Sequence, residues 1–171
     1  LIFDNILADS FEELEGKTPV KLKYTDCIKS NKDKSQTLKN SDENFNPLIN
    51  LVGNINDIKW KNVYKGFKEF NLPTSDDDTL KIIKMNPGTS VPLHSHNGKE
   101  FILVIDGSFS DEYGVYNKGD MQINDQRVKH HPTASNESGC VCLSITEKDV
   151  IFFGNFASIL NLFTFIKSIF K

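Results

Sequence analysis

The chain has 171 residues, enough for one core domain with appendages and too few for a second full domain. With 38% hydrophobic and 25% charged residues and thirteen Phe, its composition is that of a globular protein whose aromatic core can form without disulfides. A formal charge of -3 and a pI near 5.8 supply no basic field for displacing counterions from phosphates, so direct nucleic-acid binding is disfavoured.

In chain order, Ile2, Phe3, Ile6, Leu7, Phe11 and Leu14 recur at intervals of three and four with acidic residues opposite, which predicts an amphipathic helix ended by Gly16 and Pro19. Residues 30–46 are dense in Lys, Asn, Ser and Asp, a composition that cannot offset ordering entropy by burial, and read as a linker. After a short helical turn from Pro47, the β-prone runs Ile58, Trp60, Val63 and then Leu80, Ile82, Ile83, Met85 predict strands, punctuated by Pro73 and Asp76 to Asp78. Phe101 to Ile105 is an apolar strand closed by Asp106 and Gly107. Ser108 to Tyr116 reads as a hairpin arm, and Val141 to Ile145 as another strand. Many short strands with regular turns predict an all-β sandwich or small barrel.

The final segment, 155–171, keeps Asn155, Ser158, Asn161, Thr164 and Ser168 on one stripe among apolar residues and predicts a terminal helix that packs on the barrel or on a second subunit, giving a homodimer. Gly154, Asn155, Asn161 and Lys167 interrupt the apolar run, which falls short of a spanning helix of about 18 apolar residues, so no transmembrane segment is expected. No basic, apolar leader opens the chain, which begins at Leu1. Cys140 and Cys142 sit too close on a strand for an unstrained bridge, and the odd total of three cysteines implies reduced thiols and a cytoplasmic protein. Core packing is the favoured reading of both. Asp111 and Glu112, just before Tyr113 and Gly114, read as a solvated turn rather than a catalytic carboxylate pair.

The chemistry concentrates in Gly88-Thr-Ser-Val-Pro-Leu-His94-Ser-His96-Asn-Gly-Lys-Glu100, continuing to Gly107. Residues two apart on a strand share a face, so His94 and His96 can reach one ion, and a turn at Asn97-Gly98 lets Glu100 return an oxygen to the same point. Two imidazoles and a carboxylate leave a divalent ion short of a closed shell. The next donors are His130 and His131, adjacent, so that only one faces inward easily. All four histidines of the chain lie in these two places.

The spacing Gly, five residues, His-x-His, three residues, Glu, six residues, Gly is similar to the first cupin motif, and the expected fold becomes a small cupin: a double-stranded β-helix or jelly-roll barrel over 47–154, with short helices at both ends. Gly119 and His130 keep the spacing of the second motif, while Asp125, Arg127 and Ala134 replace its usual Pro, Gly and Asn. Beyond these, the stretches Gly53 to Trp60, Gly107 to Gly114, His130-His-Pro132, Cys140-Val-Cys142 and Phe152-Phe-Gly154 resemble the cupin domain of ChrR-type anti-sigma factors, regulators of extracytoplasmic-function sigma factors.

That resemblance implies metal ligands at His94, His96, Glu100 and His130, with His131 exposed or hydrogen-bonding only, and one divalent ion, zinc ahead of iron, nickel or manganese. It implies a non-enzymatic domain that senses an oxidative or chemical signal. The sigma factor would be held through an amino-terminal zinc domain whose His and paired Cys this chain lacks, residues 1–46 being a possible remnant of it. The rival expectation is a small metal-dependent dioxygenase or isomerase on the same ligands, for which Arg127, the only arginine, lies in a loop.

Overall fold

The computed structural model describes residues 19–23, 58–74, 78–155, 157–158 and 161. They form eleven strands: β1 Val20–Lys23, β2 Lys61–Tyr64, β3 Phe67–Leu72, β4 Thr79–Met85, β5 His94–His96, β6 Glu100–Asp111, β7 Gly114–Asn117, β8 Asp120–Asn124, β9 Thr133–Ala134, β10 Cys140–Thr146 and β11 Val150–Phe152. The main sheet runs β1-β8-β6-β10-β4-β3-β2, β7 and β9 pair with the far half of β6, and β5 pairs with β11 in a second small sheet. All named pairings are antiparallel. This is the all-β cupin barrel expected.

Both faces of the main sheet are apolar, which is why its strands read as near-continuous hydrophobic runs. On the inner face Phe67, Met85, Ile102, Val104, Phe109, Tyr116, Cys140 and Cys142 form one cluster. On the opposite face Leu72, Ile82 and Leu143 pack with Ile58, and Phe101 and Ile123 pack with Met121. Burial of this extent on a twisted antiparallel sheet is the dominant stabilising contribution.

Strand β6 departs from its expected end. It does not stop at Asp106-Gly107 but continues to Asp111, and its register against β10 shifts between Val141 and Cys142. That irregularity lets the strand bend. Gly107 sits at φ +69, and a Cβ there would lie 2.2 Å from the Gly139 carbonyl oxygen, so the close approach of the two chains requires glycine. Strand β3 was missing from the sequence reading because Lys68, Glu69 and Asn71 dilute its apolar pattern.

Residues 20–23, inside the stretch expected as helix and linker, form β1, which pairs with β8. The helix expected over Ile2 to Leu14, the linker 30–46, the turn at Pro47 and Cys27 lie outside the described residues, as does most of the expected terminal helix. Of the latter, residues 157, 158 and 161 are helical, and the Asn161 side chain bonds both the amide and the carbonyl of Phe152, at 2.8 and 3.0 Å. Among the described residues no helix is long and apolar enough to cross a membrane.

Candidate metal centre

Strand β5 is His94-Ser-His96 in full, buried throughout. It is held on one side by β11, with Phe152 opposite His94. On the other side His94 and His130 exchange both backbone hydrogen bonds at 3.0 Å. Directly opposed residues of an antiparallel bridge project to the same face. Of the two adjacent histidines, His130 is fully buried beside His94, while His131 is exposed, its amide donating to Glu112 Oε2 at 2.8 Å.

The bend at Asn97-Gly98 then delivers Glu100 at the start of β6. Its Oε2 lies 3.0 Å from His96 Nε2 and 3.4 Å from His130 Nε2, and His130 Nε2 lies 3.0 Å from His94 Nε2. One ligand atom from each of His94, His96, Glu100 and His130 falls within 4.8 Å of the others. Ligand bonds of about 2.0–2.1 Å to a tetrahedral ion place neighbouring donors roughly 3.3 Å apart, close to the 3.0, 3.4 and 3.0 Å found for His96–Glu100, His130–Glu100 and His94–His130.

The donor set also fits an ion on its unmet bonding. Neither ring nitrogen of buried His96 has a hydrogen-bond partner among the described residues, although Nε2 is near Glu100. Leaving an imidazole so costs free energy, whereas a lone pair aimed at a shared point suits coordination. The other three candidate ligands are oriented from behind. His94 Nδ1 is 2.8 Å from the Pro92 carbonyl, so it donates there and leaves Nε2 as the free lone pair. His130 Nδ1 donates to Asp111 Oδ2 at 3.2 Å, which orients its ring with Nε2 toward the same point. Asn124 Nδ2 donates to Glu100 Oε2 at 3.0 Å.

Asp111 corrects the sequence reading. It does begin the β6–β7 turn, where its Oδ1 accepts from the amides of Tyr113 and Gly114, yet its side chain has no solvent exposure and its Oδ2 points at His130 and Gln122. Glu100 and Asp111 thus approach the same imidazole from opposite ends of one strand. Eleven residues of straight strand would separate them by about 36 Å, so β6 must curl around the barrel, as its register shift and Gly107 allow.

Electrostatics follow from this crowding. Burial, aided by the neighbouring His130, pushes His94 down to about 4 and keeps it neutral. Burial also disfavours charge on His130, but the hydrogen bonds it donates to the Asp111 and Glu100 carboxylates outweigh it and bring His130 up to about 9. Burial opposes ionisation of Glu100 too, yet His96 and His130 hold its carboxyl well below the usual range.

Sequence reasoning missed Asp111, Gln122 and Asn124. A signal was present: Asp120, Gln122 and Asn124 alternate with Met121 and Ile123 at the period of a strand. Cys140 and Cys142 are buried free thiols in the inner apolar cluster, as expected, with their sulfurs 3.2 Å apart. Arg127 is exposed, and its guanidinium pairs with Asp125.

Residues 50–148 match the family model of the ChrR cupin-like domain. Over 107 residues the chain is 34% identical to the anti-sigma-E factor ChrR of Cereibacter sphaeroides, covering 62% of this chain and 50% of that protein. It therefore spans about half the length of the curated relative it matches. Among solved structures it is similar to Rhodobacter sphaeroides SigE in complex with the anti-sigma ChrR, at 27% identity and a TM-score of 0.56, covering 71% of this chain and 75% of that one. A putative acetylacetone dioxygenase from Methylibium petroleiphilum superposes with a TM-score of 0.53 over 72% of this chain and 87% of its own, but at 12% identity that likeness shows the fold alone.

Proposed function

This chain belongs to the ChrR cupin-like domain family, and on that premise we propose that it is the zinc-bound sensing domain of an anti-sigma regulator, acting without catalytic turnover. The observation that carries the reading is the buried convergence of His94, His96, Glu100 and His130. Three imidazole nitrogens and one carboxylate oxygen are a donor set that suits zinc.

When bound, a divalent ion supplies a cross-link between β5, β6 and the segment bearing His130. The protein's own part is to present the donors. Pro92 and Asp111 fix the tautomers of His94 and His130, and Asn124 holds the Glu100 oxygen in place. An oxidative or chemical signal that alters one ligand would then be felt as loss of that cross-link. In the intact regulator the consequence would be altered release of an extracytoplasmic-function sigma factor; the relative from Cereibacter sphaeroides is named an anti-sigma-E factor. Such a role places the protein in the cytoplasm.

A reporter driven by that sigma factor, in cells carrying the whole gene, tests the reading. Glu100→Ala should abolish induction by the oxidant while the regulator still accumulates. Unchanged induction would overturn it.

A further inference from the structure

Strand β8 is bound to more than its sheet neighbours. Its Asp120, Gln122 and Asn124 are 1%, 0% and 0% exposed, all on the inner face. Asn124 holds Glu100 at 3.0 Å. Gln122 Nε2 donates to Asp111 Oδ2 at 2.7 Å and to the Tyr116 hydroxyl at 3.0 Å, one bond removed from His130. Asp120 Oδ2 accepts from the Asn117 amide at 2.8 Å and pairs with Lys21 Nζ at 2.9 Å. Buried polar groups are stable only while their partners stay in place. The position of β8 is therefore tied to the metal ligands at one end and to Lys21 of β1 at the other.

Among the described residues, the backbone of strand β1 pairs only with β8, Val20–Lys23 lying opposite Ile123 back to Asp120. Lys21 reaches over the edge to Asp120, donates to the Val115 carbonyl and lies 5.2 Å from the centre of the Tyr116 ring. Strand β8 in turn meets β6 over Glu100–Leu103, the part of that strand which begins with a ligand.

We propose that β1 is a strap whose docking reports whether the metal centre is loaded. The inference rests on the metal-binding reading above. With an ion bound, Glu100 and His130 are fixed, and they fix Asn124 and, through Asp111, Gln122, so β8 offers β1 a rigid edge. With the ion gone those acceptors lose their common anchor and β8 loosens. Strand β1, a four-residue edge element, is then the first to leave. Strands β4 and β10 meet largely on apolar and thiol side chains and should stay paired.

Hydrogen exchange of the full chain, with zinc bound and after chelation, tests this, with zinc content measured on the same samples. Chelation should raise exchange of the Val20–Lys23 amides by roughly tenfold or more, with β4 and β10 much less affected. Lys21→Ala should raise β1 exchange in the zinc-loaded protein while zinc stays at one equivalent, because it unfastens the strap without touching the ligands. One equivalent of zinc with β1 exchange indifferent to chelation overturns the strap alone. A chain that takes up no zinc overturns the metal reading and the strap with it.

Discussion

The cluster around Phe109 and the centre around His130 share strand β6 and the same interior, but different physics holds them. Phe109 stacks on Tyr116 at 4.8 Å between ring centres, amid Val104, Met85 and the two cysteines. That packing needs nothing beyond the exclusion of water. Around His130, three imidazoles and two carboxylates are buried together, and their desolvation is offset only when every lone pair and proton has a partner. Such an interior holds its fold with one region, while the other is stable only with its partners in place.

The two regions should therefore separate under mutation. The largest loss of stability is expected from Phe109→Ala, about 3–5 kcal/mol for a fully buried aromatic. Denaturant unfolding measures it, and the surviving folded protein should still bind one equivalent of metal. Chelation should lower stability by about 4 kcal/mol relative to protein at a thousandfold excess of free metal over Kd. Glu100→Ala should be nearly indifferent to chelator in the same melt. Equal chelator sensitivity in Glu100→Ala and wild type would erase the distinction.

A smaller effect is expected one bond away from the ligands. Asp111→Ala and Asn124→Ala should weaken metal affinity by roughly 10–100-fold without abolishing it, as competition with a chromophoric chelator would report. Smallest is Glu69, at the far side of the barrel between Lys81 and Lys61 at 3.1 and 3.3 Å. Burial opposes its ionisation, but Lys81 and then Lys61 outweigh that and lower its pKa. A carboxyl lowered in the folded state adds stability above the unfolded value near 4.3, and loses it as pH falls through the folded value. Glu69→Gln should accordingly lower stability at pH 7 by less than about 1 kcal/mol, and the difference should vanish in acid.

How legible each region was in the sequence follows from the same contrast. The candidate ligands of β5 and β6 were readable because period two on a strand and one turn bring His94, His96 and Glu100 together locally. The choice of His130 came from family resemblance, and its physical cause is the antiparallel bridge to His94, a contact between residues 36 apart. Asp111 was misread because its turn chemistry is real: one carboxylate oxygen serves the turn and the other serves His130. Nothing local to residues 111–114 reveals the curl of β6 that carries it inward. Strand β1 was absorbed into the expected helix and linker, since four residues pair with β8 only through tertiary context.

Elemental analysis of the protein purified without added metal tests the central claim most directly. The account predicts zinc near one equivalent per chain in the wild type and its loss in Glu100→Ala. Wild-type protein that is folded yet carries no stoichiometric metal, or a Glu100→Ala variant that retains it, would contradict the account.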